Sequence, residues 1–320
     1  MNKRKVIIVS LILGIIVGVI WVLGSILNSK PSKIRIGYSP LLINMPIMIA
    51  SENNYFDSLG INVELIQMSS TNNMRDAVTN GNVDFAVALG TEMFIQNNIL
   101  QPGNLKALFF NVLTQERYVD AIIVKKESTI NEIKELNGKN IGCYPASTIQ
   151  AYLNVIAKEN GISFNVMTVS PTESIQLLES GRIDALFAIE PLLTYAVKTG
   201  NYKVIEKAVI AKYIQDNIPV GAWVVNKDFY ESYPRNINLL KQAIQLSINF
   251  IESQPDSAIF LSENFLEKKH GEYSGANYPV WKDGCFYSEK NSMSKFLSFL
   301  NLNDIITNPS DQSDNIICTK

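Results

Sequence analysis

Residues able to do covalent or metal chemistry are few and far apart in this chain. Its 320 residues include one histidine, His270, and three cysteines, Cys143, Cys285 and Cys318. Neither a His-ligated metal site nor a zinc ribbon can be assembled from them at familiar spacing, so no metal and no cofactor are expected. His270 falls in a late helix and charged turn, and no nucleophile is paired with it as a base. The remaining chemistry is non-covalent. Ser147 and Thr148 stand at a predicted helix start, where hydroxyls and free backbone amides can receive an anionic group. Glu92 and Glu190 would favour a cationic or amine-bearing ligand, whereas Arg117 would favour a carboxylate or sulfonate through a bidentate contact. The two charge signals conflict, and surface salt bridges would account for all three residues.

Composition narrows the partners further. Hydrophobic residues make up 47% of the chain and charged ones 18%, which excludes a disordered chain, a collagen and a disulfide-stapled miniprotein. The length is about twice that of a typical single domain, so two compact domains are expected. With 28 basic against 30 acidic side chains the formal charge is −2, and there is no basic excess to attract nucleic acid. Cys285 and Cys318 could pair in an oxidising exterior, but three cysteines leave one over; free thiols are the expectation.

The elements that must position the polar residues follow an α/β grammar. From Lys33, the strand-like runs IRIGY, INVELI and VDFAVA alternate with helical patterns at Met45 to Asn53, Thr71 to Asn80 and Glu92 to Leu100. Such alternation implies parallel strands with crossover helices, and strands apolar on both faces imply a sheet covered above and below. LKALFF and YVDAIIV follow. The grammar then restarts with NIGCY, FNVMTV and IDALFA, separated by helical patterns at Ser147 to Asn160, Thr172 to Ser180 and Pro191 to Thr199. The two halves share a phrase, AVTNGNVDFA at residues 77–86 and LLESGRIDAL at 177–186. Gly81 and Gly181 are expected to end their helices in the left-handed conformation, with Asp84 and Asp184 one residue into the next strands. PVGAWVVN reads as a strand returning the chain to the first half. Helices dominate thereafter, with Pro234 and Pro255 at starts that tolerate proline.

Val6 to Leu27 contains no charged side chain and follows Lys3, Arg4 and Lys5. As a helix it would rise about 33 Å at about 1.5 Å per residue, enough for a hydrocarbon core of about 30 Å. An uncleaved anchor is expected; a signal peptide cut after Gly24 is the competitor, although its apolar region usually runs only about 7 to 15 residues. Lys30, Lys33 and Arg35 balance the leading basic residues, so the orientation, body outside, rests on the large downstream domain being translocated. No cysteine precedes Cys143, so a lipid-modified cysteine cannot be the anchor.

The ordered phrases IRIGYSPLLINMPIMIASENNYFDSLGINVELI, NGNVDFAVALG, ELNGKNIGCYPASTIQAYL and ESGRIDALFAIEPLLTYA span about residues 33 to 225. In that order they resemble the solute-binding proteins of ABC importers in the nitrate, sulfonate and taurine group, which includes thiamine pyrimidine-precursor binders. The resemblance implies a two-lobed, hinged periplasmic-binding-protein fold with hinge-crossing strands and the ligand held between lobes. On it, residues 1–32 form the anchor, 33–118 and 225–320 a discontinuous first lobe, and 119–224 the second. The missing lipobox departs from many Gram-positive relatives and leaves anchoring to the helix.

In open α/β sheets, ligands collect beyond the carboxyl ends of the strands. Four such ends supply the candidate contacts. These are Ser39, Pro40, Asn44 and Met45 after IRIGY; Leu89, Gly90, Thr91 and Glu92 after VDFAVA; Ala146, Ser147 and Thr148 after NIGCY; and Glu190, Pro191 and Tyr195 after IDALFA. Trp223, in the returning strand, is either a core aromatic or a stacking surface. Asn44, Ser147, Thr148 and Thr91 could equally be plain helix caps, and Met45 and Met48 partly core. The function expected is capture of a small organic solute, sulfonate-like or pyrimidine-precursor-like, on the extracytoplasmic face, and delivery to an ABC permease and its ATPase. A membrane-tethered sensor would share the same chain features. An enzyme like the fungal pyrimidine synthases is the remaining alternative, but their cysteine cluster has no counterpart here.

Overall fold

The computed structural model describes residues 12–18, 33–266, 273–283 and 291–306. Two sheets carry the fold. The first has six strands in the order β11-β4-β10-β3-β1-β2, comprising β1 (Ile34–Tyr38), β2 (Val63–Gln67), β3 (Phe85–Gly90), β4 (Leu105–Leu113), β10 (Ile218–Asn226) and β11 (Val280–Asp283). The second has five, β7-β6-β8-β5-β9, comprising β5 (Asp120–Lys125), β6 (Asn140–Cys143), β7 (Asn165–Thr168), β8 (Ala185–Ile189) and β9 (Tyr202–Lys207). In each sheet three parallel strands are followed by one antiparallel strand that arrives from the other sheet: β10 beside β3, and β5 beside β8. The chain therefore passes between sheets twice, through residues 114–119 and 208–217. The amide of Gln115 on one crossing donates to Asp216 Oδ1 on the other at 3.0 Å.

Helices cover both faces of each sheet, as strands apolar on both sides require. Residues 12–18 form the first helix, α1. On the first sheet, α2 (Met45–Glu52), α3 (Tyr55–Ser58), α11 (Pro234–Ser253) and α12 (Pro255–Ser262) pack with the face that carries Ile36, Phe85, Phe109 and Trp223. The opposite face, with Ala86, Phe110 and Val224, meets α4 (Thr71–Thr79), α5 (Thr91–Leu100) and α13 (Asn291–Leu302). The short α10 (Lys227–Ser232) follows β10 and is capped by the Asn226 side chain. On the second sheet α7 (Pro171–Glu179) and α8 (Leu192–Lys198) pack over Ile123 and Leu186. There α6 (Ser147–Glu159) and α9 (Val209–Tyr213) belong to the cluster that also holds Phe187 and Ile122. That cluster is continuous with the core behind the first sheet.

The shared phrase is a shared structure. Gly81 and Gly181 sit at φ 70° and 72°, as their positions after the helices demand. Asp84 Oδ2 accepts the amide of Arg35 at 2.8 Å, and Asp184 Oδ2 accepts the amide of Asn140 at 2.9 Å, so each aspartate fastens the entry of its strand to the neighbouring one. Both stand one residue before the strand, not one residue into it.

Three expectations meet corrections or limits. β10 pairs with β3 and β4 along its length, so the chain has rejoined the first sheet by Ile218, ahead of residue 225, where the second segment of the first lobe was expected to begin. Among the described residues no helix is long and apolar enough to cross a membrane. Residues 12–18 of the expected span are helical, with Ile12, Leu13, Ile15, Ile16 and Val17 each at least half exposed, and its remainder lies outside the described residues. His270, Cys285 and Cys318 also lie outside them; Cys143 is buried with a free thiol that burial pushes up to about 11.

Candidate functional site

A cavity of about 860 Å³ opens where the carboxyl ends of both sheets face each other. The first sheet contributes Pro40 and Leu41 after β1, Gln67 at the end of β2 with Met68 and Ser69 after it, and Tyr273 from the late segment. The second contributes Tyr144 and Pro145 after β6, Val169, Ser170 and Thr172 after β7, and Pro191, Leu192 and Tyr195 after β8. The wall is apolar and aromatic with a few hydroxyls and two side-chain amides, those of Gln67 and Gln176. The only charged side chain among the described lining residues is Glu179, an exposed residue whose Oε1 accepts the Tyr202 hydroxyl. Such a surface recognises a molecule with an apolar body and a small number of polar groups.

The sequence-derived residues divide into four sets. Pro40 and Pro191 line the cavity, with Tyr195 beside the latter. Ser39 and Asn44 brace the wall from behind: Asn44 Nδ2 donates to the Ser39 carbonyl at 2.7 Å and to its Oγ at 2.9 Å, and does not cap α2. The Trp281 indole N–H on β11 fastens the same loop through the carbonyl of Ile43 at 3.0 Å. The third set belongs to the core. Met45 is fully buried among the residues of α2, α11 and the first sheet. Trp223 is likewise inaccessible, its ring edge-on to Phe85 and Phe109 and its N–H donated to Asn111 Oδ1 at 2.8 Å. It is a core aromatic and offers no stacking face to a ligand. Leu89 is buried because Ala88, at φ 56°, breaks the strand's alternation and turns Leu89 to the same face as Ala86.

Gly90, Thr91, Glu92 and Thr148 meet at a seam between the sheets instead of lining the cavity. The Glu92 carboxylate folds back over Gly90, where a Cβ would stand only 2.3 Å from Oε1. Its Oε1 accepts the hydroxyl of Thr148, the second residue of α6, so that hydroxyl is already given to a carboxylate. Ala146 and Ser147 open the same helix. Glu92 Oε2, Thr91 Oγ1 and the Tyr152 hydroxyl are buried without a hydrogen-bond partner. Burial, opposed by the Thr148 and backbone bonds, pushes the Glu92 carboxyl up to about 7.

Glu190 makes the second seam. It is 1% exposed and accepts the Thr194 hydroxyl at 2.8 Å, the Thr194 amide at 3.1 Å and the Asn277 amide at 3.2 Å. Burial outweighs these three donors and raises it to about 7. Arg117, by contrast, carries no ligand signal: both terminal nitrogens pair with Glu252 at 2.9 and 2.6 Å, and its guanidinium stacks 4.9 Å from the centre of the Tyr278 ring. Among the described residues no group of histidine, cysteine and acidic side chains could hold a metal ion.

Sequence reasoning missed Gln67, Met68, Ser69, Val169, Ser170 and Thr172. The signal was present, since β2 and β7 are parallel strands whose carboxyl ends point the same way as those of β1 and β6.

Solved structures share this architecture. The periplasmic aliphatic sulphonate binding protein SsuA from Escherichia coli superposes with a TM-score of 0.72 at 15% identity, over 91% of this chain and 93% of that one. The ligand binding component of an ABC-type import system from Staphylococcus aureus, solved with zinc bound, gives 0.70 at 16% identity, over 88% and 96%. The periplasmic nitrate-binding protein NrtA from Synechocystis PCC 6803 gives 0.65 at 14%, over 90% and 86%. At these identities the likeness shows the two-sheet, periplasmic-binding-protein-like fold. No curated protein sequence matches the chain. The family model described as NMT1/THI5 like matches residues 44–258, from the loop that Asn44 braces to the start of α12, and the chain belongs to that family.

Proposed function

We propose that this chain is the extracytoplasmic solute-binding component of an ABC importer, which captures a small organic solute between two lobes and delivers it to a permease. The observation that carries the reading is the cavity of about 860 Å³ walled by strand ends from both sheets, which among the described residues only two crossings join, an arrangement suited to hinge closure. The roles of the structural neighbours in binding and import support import over catalysis. The lobes are residues 33 to about 217, less the second-sheet segment from 119, together with β10 onward for the first, and that segment for the second. Tethering through Val6 to Leu27 would keep the receptor near its permease and raise its effective concentration there.

Of the two solute classes the sequence left open, the lining favours a neutral or amine-bearing ring over a sulfonate. Tyr144, Tyr195 and Tyr273 supply flat faces, Arg117 is spent on Glu252, and the Thr148 hydroxyl is spent on Glu92. A thermal-shift screen of sulfonates, nitrate, amino acids and pyrimidines, followed by solution scattering, tests this. A pyrimidine or amine that raises the melting temperature and contracts the chain is expected. A sulfonate that alone does so would overturn the solute class, and a chain that no compound contracts would overturn the receptor reading.

A further inference from the structure

Two hydrogen bonds cross the seam between the sheets, and each is accepted by a carboxylate that the seam buries. Glu92, in the first turn of α5 on the first sheet, accepts from Thr148 of α6 on the second. Glu190, following β8 of the second sheet, accepts the amide of Asn277 in the segment that leads into β11 of the first. The two reach across in opposite directions. Glu92 faces Thr148 and Tyr152 from α6 and an amide of its own backbone, and Glu190 faces Thr194 of α8 and Asn277. Among the described residues Tyr152 is the one titratable group acting with either, and its hydroxyl is held far above its ordinary range by burial and then by the Glu92 charge. Among the described residues neither glutamate has a salt bridge; Glu92 Oε2 has no hydrogen-bond partner at all. An ionised carboxylate so placed has lost its water and gained no counter-charge, whereas a neutral carboxyl carries no such cost. Opening of the seam breaks both cross-seam bonds, and on the proposal that follows it returns both groups to water.

We propose that closing of the two lobes takes up a proton at Glu92 and another at Glu190, so that acid favours the closed, solute-holding form. This rests on the receptor reading above and adds a regulation of the same site. Each carboxyl titrates near 4.5 when open to water and at about 7 when closed. A group raised in the closed form supports closing below the lower value and loses that support as the pH rises through the upper one. Between the two, each glutamate weakens closing about tenfold per pH unit, with little further change above the upper value. Asp120 is also raised to about 7, but its Oδ1 accepts the Ile210 amide at 3.0 Å between β5 and α9, on one side of the seam. That bond runs from the start of β5 to the crossing that follows β9 and does not join the two sheets, so on this proposal its titration leaves the gap alone.

Solution scattering of the full chain without added solute, from pH 5 to pH 8, reads the gap directly. The wild type is expected to expand between pH 5 and pH 7 and to stay level above. Asp120→Asn should behave as wild type, Glu92→Gln and Glu190→Gln should each lose part of the expansion, and the double variant should remain contracted throughout. A wild type whose dimensions ignore pH, or a double variant that expands in parallel with it, overturns proton-linked closing. Repeating the series with the solutes screened above separates the two claims. Contraction by a solute at pH 8 in a chain indifferent to pH removes only the proton linkage, whereas dimensions that neither pH nor any solute changes remove the receptor reading as well.

Discussion

Trp223 shows how one residue type can carry two meanings in a sequence and one in a structure. An aromatic in a strand that returns to a ligand-binding lobe could face a guest, but nothing in the local pattern says which face of β10 is the cleft. The packing decides it: Trp223 shares a face with Phe85 and Phe109 beneath α2 and α11. Its N–H satisfies Asn111 Oδ1, while Asn111 Nδ2 is already buried without a partner. Trp223→Phe therefore leaves a wholly unpartnered amide and is expected to cost about 1–3 kcal/mol in denaturant unfolding, with solute affinity unchanged. A loss of affinity at unchanged stability would return Trp223 to the binding site. The glutamates were legible as charges near strand ends, but their roles were not. Whether a carboxylate lines a cavity or bridges a seam depends on the helix brought opposite it, and for Glu92 that helix lies 56 residues away in the chain.

At the scale of elements the repeated helix, glycine and aspartate unit was legible because its physics is local. A helix ending in a left-handed residue needs glycine whatever surrounds it. Gly81→Ala and Gly181→Ala are each expected to cost about 1 kcal/mol, since alanine is strained at φ 70° and 72°. The two sites belong to different sheets, so the losses should add in the double variant; losses well below this would mean that the turns relax and the glycines are not required. Gly221 is constrained differently. A Cβ there would lie 3.2 Å from Ala88 Cα, where β3 and β10 crowd together at the register shift, and backbone cannot step aside. Nothing in the sequence announced that contact, because the strands that make it are more than 130 residues apart. A separation of more than 100 residues likewise hides where the chain rejoins the first sheet: PVGAWVVN read as a returning strand, and its pairing with β4 begins at Ile218.

For the whole molecule, alternation of short apolar runs with helical patterns was enough to give two α/β sheets, since strands buried on both faces must be covered on both. The carboxyl-end rule pointed to four strand ends; those after β1, β6 and β8 reach the cavity, the end of β3 lies in the seam, and the ends of β2 and β7, which also line the cavity, were passed over. Cavity and seams then divide the work. On the proposed function Tyr144, Tyr195 and Tyr273, which line the cavity, hold the solute, and Glu92 and Glu190, which bond across the seam, hold the lobes. The most direct test of this division is a calorimetric titration of the full chain with the solute found by screening, comparing wild type with Tyr144→Ala. The account predicts that the variant keeps its fold and binds at least about tenfold more weakly, as expected when an aromatic anchor in a pocket is removed. Wild-type affinity in a folded Tyr144→Ala would contradict it, because the solute would then be held somewhere other than between these strand ends.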